Sequence, residues 1–284
     1  MRPVTSRTLL TASLSVLFWS ALSAIAVANS DPDTEARIQY AFYTVDVRAL
    51  TQLATGLEQS AAKDLGAATY LLALTHYYLA RLAAAAPAKG TAPTAASRDD
   101  VTAADASVAA AHARLCLGAL EQSTRSGVPA AEALGLQAAC SALLGRVAPI
   151  TSVLSNARSA SQLRSAALAD PRNPRVRLIA ATINFGRDVA DPAARERLLD
   201  DLSQVIPLFE VERRGTSEVP SWGEAEAYWY ASRAFLAQGD ALRAREAIEQ
   251  ALLLAPDFVA ARELTAQIVG STAAPASQPE AAAP

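Results

Sequence analysis

Residues 225–258 read AEAYWYASRAFLAQGDALRAREAIEQALLLAPDF, which is the most regular helical pattern in the sequence. Ala244 and Ala251 are seven residues apart, which places them two turns apart on one helix face, with Ile248 between them. Small residues at such positions let two helix axes approach closely. Gly239-Asp240 supplies a helix end followed by a helix cap, and Pro256 stops the second helix. The stretch therefore predicts two helices packed against each other.

The same stretch resembles a tetratricopeptide repeat, a helix–turn–helix unit of 34 residues. Tyr228 occupies a position that is aromatic in the family, although tryptophan is more usual there, and Ala231 occupies a position where leucine is usual. The matching positions are Tyr228, Ser232, Phe235, Gly239-Asp240, Ala244, Ile248, Ala251 and Pro256. The resemblance implies that the pair stacks on neighbouring pairs, because a single pair leaves one face uncovered.

A weaker copy ends at Pro171, where Leu163 and Ala166 match Ile248 and Ala251 but Ser159 replaces the expected alanine. Elsewhere, helical periodicity and breakers predict about ten to eleven helices and no convincing strand. The chain is therefore expected to be all-α, an α-solenoid of antiparallel helical hairpins of tetratricopeptide type. The predicted divisions are N-terminal hairpins at 29–86, a low-complexity linker at 87–96, a repeat domain at 97–269 and a disordered tail at 270–284.

The first 28 residues are typical of a secretory signal peptide. Arg2 and Arg7 precede an uncharged, mostly apolar stretch that ends in Ala26-Val27-Ala28. Cleavage is expected after Ala28. The alternative is an uncleaved anchor, since residues 8–28 are long enough to span a bilayer. Cleavage would remove two arginines and no acid, changing the net charge from −3 to −5, and would leave a chain without stable membrane insertion.

Composition narrows the compartment and the function class. Arginine outnumbers lysine by 23 to 2, which together with abundant alanine suggests a GC-rich bacterial genome and hence a periplasmic protein. A net charge of −3 gives no support to nucleic-acid binding. Two cysteines and two histidines cannot by themselves complete a four-ligand zinc site. We therefore predict no metal and no cofactor.

The two cysteines, Cys116 and Cys140, lie at similar distances from the turn at Gly127, on the two arms of a predicted helical hairpin. At a rise of ~1.5 Å per residue, their heights along the hairpin differ by only about 3 Å. A disulfide is therefore within reach in an oxidising compartment. The alternative is a pair of small buried thiols.

In the repeat family the first helix of each pair lines a concave groove. By this resemblance Glu226, Trp229 and Arg233 point into the groove and are candidate contacts for a peptide or a partner helix. The alternative is that Trp229 packs internally, against the helix at 192–209 or the segment around Trp222.

No nucleophile elbow, phosphate-binding loop, dinucleotide glycine run or His-Glu-x-x-His motif occurs in the sequence. We therefore expect a protein that is not an enzyme, namely an adaptor that binds a protein or peptide in the bacterial cell envelope. Two alternatives stay open: an architectural subunit of an envelope complex, and an envelope hydrolase that uses paired carboxylates.

Overall fold

The computed structural model describes residues 32–61, 67–85, 103–123, 128–215 and 221–273. Throughout these ranges the regular structure is helical, with twelve α-helices and a short 3-10 helix at Pro149–Thr151. The α-helices are α1 Pro32–Tyr43, α2 Val47–Ala61, α3 Ala67–Ala85, α4 Ala103–Ser123, α5 Ala130–Val147, α6 Ser152–Ala169, α7 Pro174–Thr182, α8 Phe185–Ala190, α9 Pro192–Arg214, α10 Glu224–Gln238, α11 Ala241–Leu254 and α12 Val259–Ala273. The all-α prediction is confirmed, with slightly more helices than expected.

Two predicted segments, the signal peptide at 1–28 and the linker at 87–96, lie outside the described residues, as does most of the predicted tail. However, α12 continues to Ala273, into the first residues of that tail. Within the described ranges, no helix combines the length and apolar character needed to cross a membrane.

Short polar side chains start several helices, as the sequence predicts. The side chains of Asn173, Asp191 and Asp240 each accept a hydrogen bond from a backbone N–H in the first turn of α7, α9 and α11. Asp46 does the same for α2, accepting from the N–H of Ala49 at 2.8 Å. Each of these bonds satisfies a donor that the helix itself leaves unpaired.

No side chain caps the start of α10. The residue at the cap position is Gly223, in a left-handed conformation with φ of 109°. Ser221 instead donates from its backbone N–H and its hydroxyl to Glu35 of α1, at 2.6 and 3.0 Å. A β-carbon at Gly223 would lie 3.0 Å from the Phe209 ring, so glycine is required both for space and for φ.

The hairpin of α10 and α11 has the features predicted for residues 225–258. Gly239 has a φ of 84° and ends α10. Ala244 and Ala251 are fully buried, and the Ser232 hydroxyl donates to the carbonyl of Ala244 at 2.6 Å. A hydroxyl that reaches a neighbouring backbone shows how closely these helices approach. In the hairpin of α5 and α6, Ser159 likewise donates to the carbonyl of Ala138 at 2.8 Å.

Helices pack mostly against their neighbours in sequence, but one hydrophobic core also joins both ends of the chain. The rings of Tyr43 in α1 and Phe258, just before α12, are 4.5 Å apart. The Trp222 indole donates to the Tyr70 hydroxyl of α3 at 2.9 Å. The core thus extends across the boundary predicted at 87–96, and α1–α3 lie against the C-terminal helices.

A buried cluster of charges links α5, α7 and α9. Arg175 is 2% exposed, and its guanidinium donates to Glu132 at 2.8 Å and to Glu212 at 2.7 Å. Glu132 also accepts from the side chain of Asn173 at 2.6 Å and from the Tyr70 hydroxyl at 3.2 Å. Because all these charges are paired and hydrogen-bonded, the cluster is tolerated inside the core.

Cys116 of α4 and Cys140 of α5 form a disulfide, with their Cα atoms 6.4 Å apart. Both residues are fully buried. The sequence left open a disulfide or a pair of buried thiols, and the structure contains the disulfide. A disulfide fits an oxidising compartment.

Candidate binding site

A small pocket lies where the faces of α3, α5, α7 and α10 meet. Its volume is about 60 Å³, far below the roughly 300 Å³ at which pockets for drug-sized ligands begin. It has room for a few water molecules or for one small group such as a carboxylate. The polar side chains that line it are Tyr77, Arg81, Arg146, Thr182 and Tyr230.

Arg81 is fixed firmly in this pocket by α10. Its guanidinium forms an ion pair with Glu226 and lies 3.3 Å from the hydroxyl of Tyr230. It also lies over the ring of Phe42, 4.6 Å from the centroid, in a cation–π arrangement. The charge of Arg81 is therefore balanced by Glu226, and its position is set by contacts on several sides.

Arg146, in the last turn of α5, contributes the second positive charge. It is exposed, and within the described ranges its side chain forms no ion pair. Burial raises the pKa of Tyr77 to about 12, so this hydroxyl stays protonated near neutral pH and can donate. Since Glu226 balances Arg81, the pocket carries about one net positive charge, which suits a single anionic group.

An aromatic cluster lies next to the pocket, and Tyr230 belongs to both. The ring of Phe185 in α8 is 4.7 Å from Tyr230 and 6.4 Å from Trp229. The Arg233 guanidinium lies over both Phe185 and Trp229, 4.8 and 5.0 Å from their centroids. Trp229, Tyr230 and Arg233 all remain partly exposed. This surface therefore combines apolar area with a positive charge.

The three residues predicted to face a groove have different surroundings. Glu226 is only 1% exposed, because α3 covers it with Arg81 and Tyr78. Trp229 packs near Phe258, and its indole lies 3.3 Å from the carbonyl of Ala260. That packing is internal, but Trp229 packs there on neither the helix at 192–209 nor the segment around Trp222, which were the two predicted partners. Arg233 and the outer part of Trp229 remain at the surface.

None of the polar residues that line the pocket was predicted from the sequence, and Arg81 and Arg146 carry its positive charges. Neither arginine belongs to a motif, and the two residues are 65 positions apart in the sequence, on different helices. The only signal in the sequence was the position of Glu226, a carboxylate within an apolar stretch of α10 that a buried partner would have to satisfy.

A second polar cluster lies between α3 and α4. The Nδ1 atoms of His76 and His112 are 3.3 Å apart, so one proton can lie between them in the neutral pair. Burial, and to a lesser degree the charge of His112, lower the pKa of His76 to about 4. Burial also lowers the pKa of His112. The Glu58 carboxylate lies 4.0 Å from the other ring nitrogen of His76. Within the described ranges, no three histidine, cysteine or acidic side chains are grouped closely enough to hold a metal ion.

The histidine pair is expected to make the protein less stable in mild acid. Because the pKa of His76 is lower in the folded chain, the unfolded chain binds more protons between pH 6.5 and about 4. The contribution of this residue to stability is therefore complete above pH 6.5 and is lost as the pH falls toward 4. Urea unfolding across this range should show a steeper loss for the wild type than for His76→Gln/His112→Gln. An equal loss of stability with falling pH in the two proteins would contradict the lowered pKa of His76, since the carboxylates titrate in both proteins.

Comparison with known proteins adds no family to this description. No protein-family model matches the chain, and a search of curated proteins finds no match either. The described residues define an all-helical protein with one internal disulfide.

Proposed function

We propose that this chain is an exported helical-repeat protein of tetratricopeptide type that acts as an adaptor, binding a protein or peptide in the bacterial cell envelope. The binding residues are Arg146 and the exposed parts of Trp229 and Arg233, with Arg81 held behind them by Glu226. The observation that carries the proposal is the polar pocket with its net positive charge beside an aromatic surface.

The pocket and the aromatic cluster would have separate roles. A volume of about 60 Å³ admits one small group of the partner, and the charge of Arg146 favours a carboxylate there. The adjoining surface of Trp229 and Arg233 can bury an apolar side chain of the same segment. The bound segment is thus an acidic residue, or a C-terminal carboxylate, next to an apolar residue. Such binding needs no catalytic group, cofactor or metal.

The contacts of α10 limit where on this helix a partner could bind. Glu226, Trp229 and Tyr230 lie on the part of α10 that meets α3 and α8. The interior there is largely filled by the chain itself, so the partner would bind in the opening that remains at Arg146. We propose a shallow contact of one or two side chains instead of a long peptide lying in an open channel.

The proposal is tested by capture from the native compartment with wild type, Arg146→Gln and Trp229→Ala. Arg146 is exposed, so Arg146→Gln should fold normally and capture the partner about ten-fold less well, as expected for the loss of one charge-assisted hydrogen bond. Trp229→Ala should also lose capture. The matched control is Arg245→Gln, which removes an exposed arginine from α11 and should capture normally. A captured set unchanged by both Arg146→Gln and Trp229→Ala would refute the site.

A further inference from the structure

The hairpin of α5 and α6 presents an apolar end to solvent. Ile150 is 101% exposed, Val153 80% and Leu154 76%. These side chains lie in the short connection and the first turn of α6, and none of them lines the pocket. Ordinary surfaces carry single exposed apolar residues, but three within five positions form an apolar patch of the kind that marks interaction sites.

The outer face of α6 continues this patch. Ser155, Ser159 and Ala166 are buried against α5, so the opposite side of the helix faces outward. With 3.6 residues per turn, the outward positions include Leu154, Ala157, Ser161, Arg164 and Leu168, and all of them are exposed. Arg158 lies at the edge of this face, one turn after Leu154. The face is about 27 Å long at 1.5 Å per residue.

This hairpin is also positively charged in an acidic protein. From Ala133 to Ala169 the sequence contains no aspartate or glutamate and three arginines, while the whole chain has a net charge of −3. Within the described ranges, Arg158 and Arg164 form no ion pair. The next acid, Asp170, accepts a hydrogen bond from the N–H of Arg172. Acidic residues gather elsewhere, for example Glu196, Asp200 and Asp201 on α9.

We propose that the end of the α5–α6 hairpin and the outer face of α6 dock on an anionic lipid surface. Ile150, Val153 and Leu154 enter the boundary between headgroups and acyl chains, and Arg158 and Arg164 contact lipid phosphates. A helix with an apolar face and arginines, lying in the interface, is the arrangement by which soluble proteins bind membranes reversibly. The arginine stems extend alongside the apolar residues while their charges stay at the phosphates.

Two other occupants fit the observations less well. A second copy of this chain, related by a twofold axis, would place two positively charged faces against each other, which is unfavourable. An acidic protein could match the charges, but it would need a groove of its own to receive Ile150, Val153 and Leu154, which project into solvent. A lipid surface needs no such groove.

The test is vesicle flotation of the mature chain recovered from an exporting host, after N-terminal sequencing has shown that residues 1–28 are absent. The vesicles are phosphatidylglycerol and phosphatidylcholine in equal parts, or phosphatidylcholine alone. The wild type should float with the anionic vesicles only, and less so at high salt. Arg158→Gln/Arg164→Gln and Ile150→Ser/Leu154→Ser should each lower binding by about ten-fold or more.

Arg245→Gln/Arg262→Gln is the matched control, because it removes two exposed arginines from α11 and α12. It should float like the wild type. Equal loss in this control, equal binding to neutral vesicles, or full binding by the α6 variants would overturn the proposal. So would an acidic protein that the wild type captures and the α6 variants do not, if flotation is unchanged. Arg158→Gln/Arg164→Gln should still capture the partner of the pocket, because neither residue lines it, which separates this result from the adaptor proposal.

Discussion

Replacing Arg175 with methionine is expected to lower the free energy of unfolding by about 3–5 kcal/mol. Arg175 is 2% exposed and holds the carboxylates of Glu132 and Glu212. Methionine fills much of the space but leaves Glu132, which is equally buried, with an uncompensated charge. The loss is large because water cannot reach the orphaned carboxylate. Urea denaturation at neutral pH measures it.

The double variant Arg175→Met/Glu132→Gln is the control, since it removes both charges of the most buried pair. It should recover a substantial part of the lost stability. Its glutamine oxygen can still accept the hydrogen bond from Asn173, and its amide NH2 can donate to the Tyr70 hydroxyl. If the free energy of unfolding of Arg175→Met lay within about 1 kcal/mol of the wild-type value, the cluster would be open to solvent, contrary to the structure.

Removing the disulfide should have the second largest effect. The bond closes a loop with a sequence separation of 24, for which loop entropy predicts a stabilisation of about 3 kcal/mol. Cys116→Ala/Cys140→Ala should therefore unfold at clearly lower urea concentration than the wild type. The wild type under reducing conditions should move toward the same midpoint.

The double alanine variant provides its own control, because a reductant should not change its midpoint. Mass spectrometry of the unreduced wild type should show Cys116 linked to Cys140. Two free thiols in the native protein, or equal stability with and without reductant, would contradict the bond.

The local structure was predictable because its causes are local. Asn173, Asp191 and Asp240 cap helices with bonds to residues three positions ahead. The alanines of α11 are buried where their spacing placed them. The break between α7 and α8 was harder to predict because no proline marks it and the nearby Gly186 falls inside α8.

The site was less predictable, because a helical pattern shows which face is covered but not what covers it. Glu226 sits on the face expected to line a groove, yet Arg81, 145 positions away, fills that space. Sequence spacing holds no information about such a pair. Arg146 was missed for the same reason, since it gains its role only when α5 and α10 come to the same pocket.

The most direct test of the adaptor proposal is the affinity of the captured partner for purified wild type, Arg146→Gln and Arg245→Gln, measured by calorimetry. We predict that Arg146→Gln weakens binding about ten-fold while Arg245→Gln binds like the wild type. Equal affinity for all three proteins would contradict the pocket as the binding site.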